Sequence, residues 1–219
     1  MKKIIIPLLL LSFLNNYGQT QFGYVVSINS SIIESDDLLN IKSGTGFGIG
    51  VSALSSIHNS ADFIVEATFT KKSISINGYR DFSFNNVEYD NSTKYNIDNI
   101  NVSFLYNQYL IVPNLNKFNV AIQGGLGISL STGEWRSKEN EFIKSIEPEP
   151  LSTFLSAGIS GGTEQFRITL NYNKAFGNYL NGVFEDDVPD ANNSYESREF
   201  NAKHYYFSIS LTYYTDLFK

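Results

Sequence analysis

Three charged residues stand where a charge needs a partner. Glu66 interrupts a segment whose other parity is apolar (Phe63, Val65, Ala67, Phe69), and Arg167 does the same among Phe166, Ile168, Leu170 and Tyr172. Lys72 follows further along the first segment. A charge taken out of water alone is costly, so the expectation is a buried ion pair or network of Glu66 and Arg167, with Lys72 nearer the far end. Both principal members lie early in their segments, which would put them at similar depth.

Other chemistry-bearing residues read more plainly. The two histidines are His58 and His204. A histidine beside a serine can act as the base of an acyl transfer, but Tyr206 stands two residues beyond His204. His58 therefore reads as a turn residue and His204 as an interfacial or loop one. Gly44, Gly46, Gly48 and Gly50 invite a phosphate-loop reading, which needs a helix to follow. None does, and their shared parity marks them as small residues on one face of a strand. Glu185, Asp186, Asp187, Asp190, Glu196 and Glu199 cluster without calcium-loop spacing and read as solvated loop charge. Asn29, Asn91, Asn101 and Asn192 fit the glycosylation triplet by chance. No cofactor motif and no metal site is expected.

Composition sets the frame for these residues. The 219-residue chain is 17% charged, below the roughly 25% of soluble domains, and carries 14 Tyr and 17 Phe. That excludes a disordered chain. The abundance of Asn, Ser, Thr, Gly and aromatic residues disfavours a helical bundle. A net charge of −6 excludes a nucleic-acid partner that relies on a basic face, and without Cys there is no disulfide or thiolate metal site.

Residues 1–18 have the layout of a secretory signal peptide. Lys2 and Lys3 precede an apolar run over 4–14, and a polar stretch ends at Gly18, after which cleavage is expected. The run is too short for a transmembrane helix. Removing it leaves 14 basic against 22 acidic residues, a net charge of −8. Residues 19–219 would form one domain.

That domain alternates with period two. Phe118, Val120, Ile122, Leu126, Ile128 and Leu130 oppose Asn119, Ala121, Gln123, Gly125, Gly127 and Ser129. Tyr205, Phe207, Ile209, Leu211 and Tyr213 oppose Tyr206, Ser208, Ser210 and Thr212. The same pattern marks six more segments, near 22–29, 47–53, 63–70, 100–107, 151–160 and 166–172. Each is about ten residues, the length of a tilted membrane-crossing strand. Short links near 58–60, 113–116 and 161–164 alternate strictly with long polar ones near 34–43, 77–99, 134–150 and 184–203.

These features predict an all-β fold: an eight-stranded antiparallel up-and-down transmembrane β-barrel with short periplasmic turns and four long extracellular loops. Only a closed sheet satisfies every backbone group in hydrocarbon, so apolar residues should face lipid while small and polar ones fill the lumen. Trp135, Tyr106, Tyr109, Tyr213 and Tyr214 fall near strand ends, where an aromatic girdle is expected.

Signal peptide, eight alternating strands, alternating short and long connections and an aromatic-rich last strand resemble the small outer-membrane β-barrels of diderm bacteria. The likeness is greatest to the PorT-like and OmpA-like outer membrane protein beta-barrel group. It implies an integral protein of the outer membrane, with lipid and the outer-membrane insertion machinery as partners. The implied role is non-enzymatic, exercised through the extracellular loops or as a structural or accessory component. The alternatives are a narrow channel for small solutes or ions and, with the faces inverted, a soluble secreted lipocalin-like binding barrel. Divalent ions bridging the last acidic loop to anionic headgroups form a further, weaker expectation.

Overall fold

The structure, a computed structural model, describes residues 20–35, 40–42, 44–77, 92–111, 118–131, 143–178, 180–185 and 197–215. Its strands are β1 (Thr20–Ser35), β2 (Asn40–Lys42), β3 (Gly44–His58), β4 (Ala61–Asn77), β5 (Ser92–Ile111) and β6 (Asn119–Ser131). They continue as β7 (Ile143–Pro148), β8 (Leu151–Gly162), β9 (Phe166–Phe176), β10 (Leu180–Glu185) and β11 (Ser197–Thr215). Eight of them form a closed antiparallel barrel in the order β1-β3-β4-β5-β6-β8-β9-β11. The last strand returns to the first over a long seam, from Phe22 opposite Thr215 to Ser35 opposite Ala202. Closure leaves the barrel wall no free edge, the condition for crossing hydrocarbon.

The eight expected strands are all present, and several run well into segments that read as loops. β5 starts at Ser92 and pairs there with Asn77, while β11 starts at Ser197. Three short strands prolong the wall at the same end. β2 pairs β4, β10 continues along β11 past Gly177, and β7 pairs β10 before leading into β8. Gly177, at φ 80°, supplies the left-handed residue at the break between β9 and β10. These additions escape the alternation test because the described part of their buried inner face holds only scattered apolar residues, among them Ile74, Ile97, Leu180 and Ala202, too few to mark a period.

Side-chain direction follows the expected parity. Ile28, Ile49, Ile128, Leu155, Leu170 and Ile209 point out of the barrel and are exposed, as are similar residues on every barrel strand. Asn29, Ser52, Thr70, Asn101, Ser156, Thr169, Asn173 and Ser210 point inward and are buried. A soluble binding barrel would show the reverse, so the lipocalin-like alternative is overturned. An apolar surface that encircles the molecule far exceeds the patches that monomers expose to water.

Eight strands enclose an interior just wide enough for side chains. Small residues make that possible. A Cβ on Gly125 would lie 2.0 Å from the carbonyl oxygen of Phe104 on the neighbouring strand. One on Gly127 would lie 2.2 Å from the ring of Phe154, which fills the lumen there.

The two faces respond to mutation in opposite senses from those of a water-soluble protein. Ile209 is 55% exposed and Ser210 only 6%. In lipid vesicles Ile209→Arg is expected to cost about 2–4 kcal/mol of unfolding free energy if it lies at the bilayer midplane. Ser210→Ala should cost less than about 1 kcal/mol. Equal losses in a denaturant titration would contradict the assignment of faces.

Candidate functional site

The lumen is built in layers, each fixed by which residues the strand register brings level. At the short-turn end Asp62 is the second residue of β4, Arg167 the second of β9, and Tyr109 lies close to the end of β5. All three stand beside a connection, which is why they meet. The Tyr109 hydroxyl donates to Asp62 Oδ2 and accepts from Arg167 Nη2. Arg167 Nη2 lies 3.5 Å from Asp62 Oδ2, and Ser56 Oγ donates to Asp62 Oδ1 at 3.1 Å. The guanidinium also lies 5.6 Å from the ring of Tyr109 and 5.7 Å from that of Tyr214. A delocalised cation beside aromatic rings, held by charge-assisted hydrogen bonds, is a setting that suits Arg better than Lys.

Above this cluster Leu54, Ile64, Leu105 and Tyr214 pack together as an apolar layer. The middle is polar. Asn101 Nδ2 donates to Thr70 Oγ1 at 3.0 Å, Gln123 Nε2 to Asn171 Oδ1 at 2.7 Å, and Ser160 Oγ to Asn107 Oδ1 at 3.1 Å. Here lies a cavity of about 30 Å³ whose one ionisable carboxyl is that of Glu66. Further up, Lys72 Nζ stands 3.7 Å from the centroid of Tyr206, and His204 stacks on the same ring at 5.1 Å. Ile33, Ile74, Ile97, Leu180 and Ala202 are buried near the loop end.

The expected charge network is thus placed in the lumen but joined differently. Arg167 pairs with Asp62, one turn residue below the segment in which Glu66 was noticed, and Glu66 instead faces the central cavity. Lys72 is buried against an aromatic ring near the loop end, six residues beyond Glu66 on β4. The signal for Asp62 was its place next to a short link, where it reads as an ordinary turn residue. His204 is a luminal residue, 3% exposed, because it shares the inward parity of Tyr206 and Ser208.

The girdle is also redistributed. Tyr106 and Tyr213 face outward, Tyr213 packing on Phe166 at 4.8 Å. Tyr109 and Tyr214 turn inward, where Arg167 and Ser52 give their hydroxyls partners. Trp135 lies outside the described residues, as do Asp186, Asp187, Asp190, Glu196 and the signal-peptide segment. A second outward aromatic group that the sequence reading missed lies toward the loop end, where Tyr172 meets Phe207 at 5.1 Å and Tyr205 at 6.5 Å. Between the two groups β9 and β11 present only Ile168, Leu170, Ile209 and Leu211 on the outer face.

His58 Nδ1 lies 3.2 Å from Ser60 Oγ. It joins residues two apart on an exposed turn and offers no enclosed place for a substrate. Gly44, Gly46, Gly48 and Gly50 lie within strand β3.

No family model matches the sequence, and no curated protein matches it. The fold does have solved counterparts. The outer membrane protein OprG from Pseudomonas aeruginosa aligns over 91% of this chain and 97% of its own, with a TM-score of 0.54 and 10% identity. The fold is that of an eight-stranded outer-membrane β-barrel. Ail, the attachment invasion locus protein of Yersinia pestis, aligns over 90% and 99% at a TM-score of 0.45 and 12% identity. Neisserial surface protein A aligns over 88% and 96% at 0.38 and 14%.

The Asp62–Tyr109–Arg167 cluster makes a graded prediction. Asp62→Ala leaves a buried guanidinium without its counter-charge and should cost about 3–5 kcal/mol. Tyr109→Phe removes only the bridging hydroxyl and should cost about 1–3 kcal/mol. Unfolding titrations of the two variants check the order, and additivity in the double variant would show that the three groups do not act as a unit.

Proposed function

We propose that this protein is an integral, non-enzymatic component of a bacterial outer membrane, working through its loop end or as a structural or accessory barrel. In this reading residues 1–18 direct export and are removed after Gly18. The insertion machinery then places the short turns in the periplasm and the long connections outside. The observation that carries the reading is the pairing of an apolar outer wall with a narrow lumen whose inward side chains are buried, leaving a central chamber of about 30 Å³. The architecture is that expected of the PorT-like and OmpA-like barrels. Phe166 and Tyr213 at one rim, and Tyr172, Tyr205 and Phe207 at the other, suit the two headgroup levels.

The test is twofold. After cell fractionation the protein should remain with the outer membrane and show faster gel mobility unheated than boiled. Recovery in the soluble fraction would overturn the reading. In planar bilayers the purified barrel should pass little or no current, because the Arg167 cluster and the apolar layer above it block the axis. The polar middle of the lumen favours a second reading, a narrow ion channel, and steady unitary steps in wild type would decide for it.

A further inference from the structure

We propose that the central chamber of the lumen binds one monovalent metal cation, with the carboxylate of Glu66 as its counter-charge. The chamber is about 30 Å³, room enough for a water molecule or a dehydrated ion. Its wall carries the hydroxyls of Ser27, Thr68, Ser103 and Ser210, and also the amide of Asn29, whose Nδ2 is buried without an acceptor. Glu66 itself has no ion pair or hydrogen bond among the described residues. Of the buried cations, Arg167 pairs through Nη2 with Asp62 and Tyr109, and Lys72 lies against the ring of Tyr206.

A second observation points to a ligand. Asn101 is 4% exposed and lines the chamber, and its amide nitrogen is committed to Thr70 Oγ1 at 3.0 Å. With the amide placed this way, Asn101 Oδ1 is left buried with no hydrogen-bond partner. A buried carbonyl oxygen without a donor is costly, and so is a carboxylate without a cation. One positive ion between them removes both costs. A single carboxylate with neutral oxygens suits a charge of +1. Calcium takes six to eight oxygens, several of them usually from carboxylates. Protonation would neutralise Glu66 and make it a donor, but would leave the chamber itself unfilled.

The experiment is thermal unfolding of the purified barrel in detergent, followed by the loss of its compact unheated gel form. It compares NaCl, KCl and choline chloride at equal ionic strength, since choline is too large to enter. The midpoint should rise in Na⁺ or K⁺ by about 2–4 °C over choline when the ion stands at about four times its dissociation constant. Glu66→Gln should abolish that difference, and Asn101→Asp should make Ca²⁺ stabilising. Equal midpoints for wild type in all three salts would overturn the proposal and leave a hydrated chamber. An undiminished salt response in Glu66→Gln would overturn it too, by placing the ion elsewhere. If Glu66→Gln does not fold, crystals grown in RbCl decide: an anomalous peak beside Glu66 supports the site, and its absence refutes it. None of these readouts depends on whether the barrel conducts or on its cellular location.

Discussion

The seam between β1 and β11 governs everything else in this molecule. An open sheet of the same strands would present two rows of unpaired N–H and C=O groups, each costing several kcal/mol in hydrocarbon. The fourteen-residue pairing from Phe22 to Ser35 removes both edges together. Once the wall is shut, its outer face is free to be apolar, and it is: the aliphatic band between the two aromatic groups carries no compensating polar group on β9 or β11. The hydrophobic effect then works on the whole cylinder, holding it in lipid, while the fold itself rests on the hydrogen-bonded wall and on what fills it.

Filling is the second consequence of closure. With eight strands the lumen is narrow, and every inward side chain meets others from across the barrel. Glycines on β3 and β6 give way where larger groups occupy the axis, as Gly127 does for the ring of Phe154. Charges admitted to such a space must be answered. Arg167 is answered through Nη2 by Asp62 and the Tyr109 hydroxyl, with two aromatic rings nearby, while its Nε and Nη1 are buried without hydrogen-bond partners. Lys72 is answered by the face of Tyr206. Glu66 lines the central cavity together with hydroxyl and amide side chains. The interior is thus graded along its axis, from an ion-paired base through an apolar layer and a polar chamber to an aromatic and aliphatic top.

Two kinds of tyrosine show how local sequence and closure divide the outcome. Tyr106 and Tyr213 have outward parity and join the rim, whereas Tyr109 and Tyr214, also close to strand ends, have inward parity and become part of the Arg167 cluster. Position along a strand says how deep a residue lies, and parity says which medium it meets. A girdle inferred from depth alone mixes the two. His204 repeats the lesson, lying level with the loop end yet buried on the ring of Tyr206.

The eight strands, their two faces and the alternation of short and long connections were legible in the chain, because period two is written directly into residues such as Phe207 to Tyr213 and needs no partner to be read. The upper walls, Ser92 to Asn99 and Ser197 to Lys203, were not, since the described part of their buried inner face holds only isolated apolar residues, Ile97 and Ala202, too few to mark a period. Arg167 and Glu66 could be recognised as interior charges from parity alone. That Asp62 answers Arg167, that Tyr109 bridges them and that Glu66 faces a chamber of its own depended on register and shear. These bring residues more than a hundred positions apart to one depth, and no local pattern encodes a distance across the barrel.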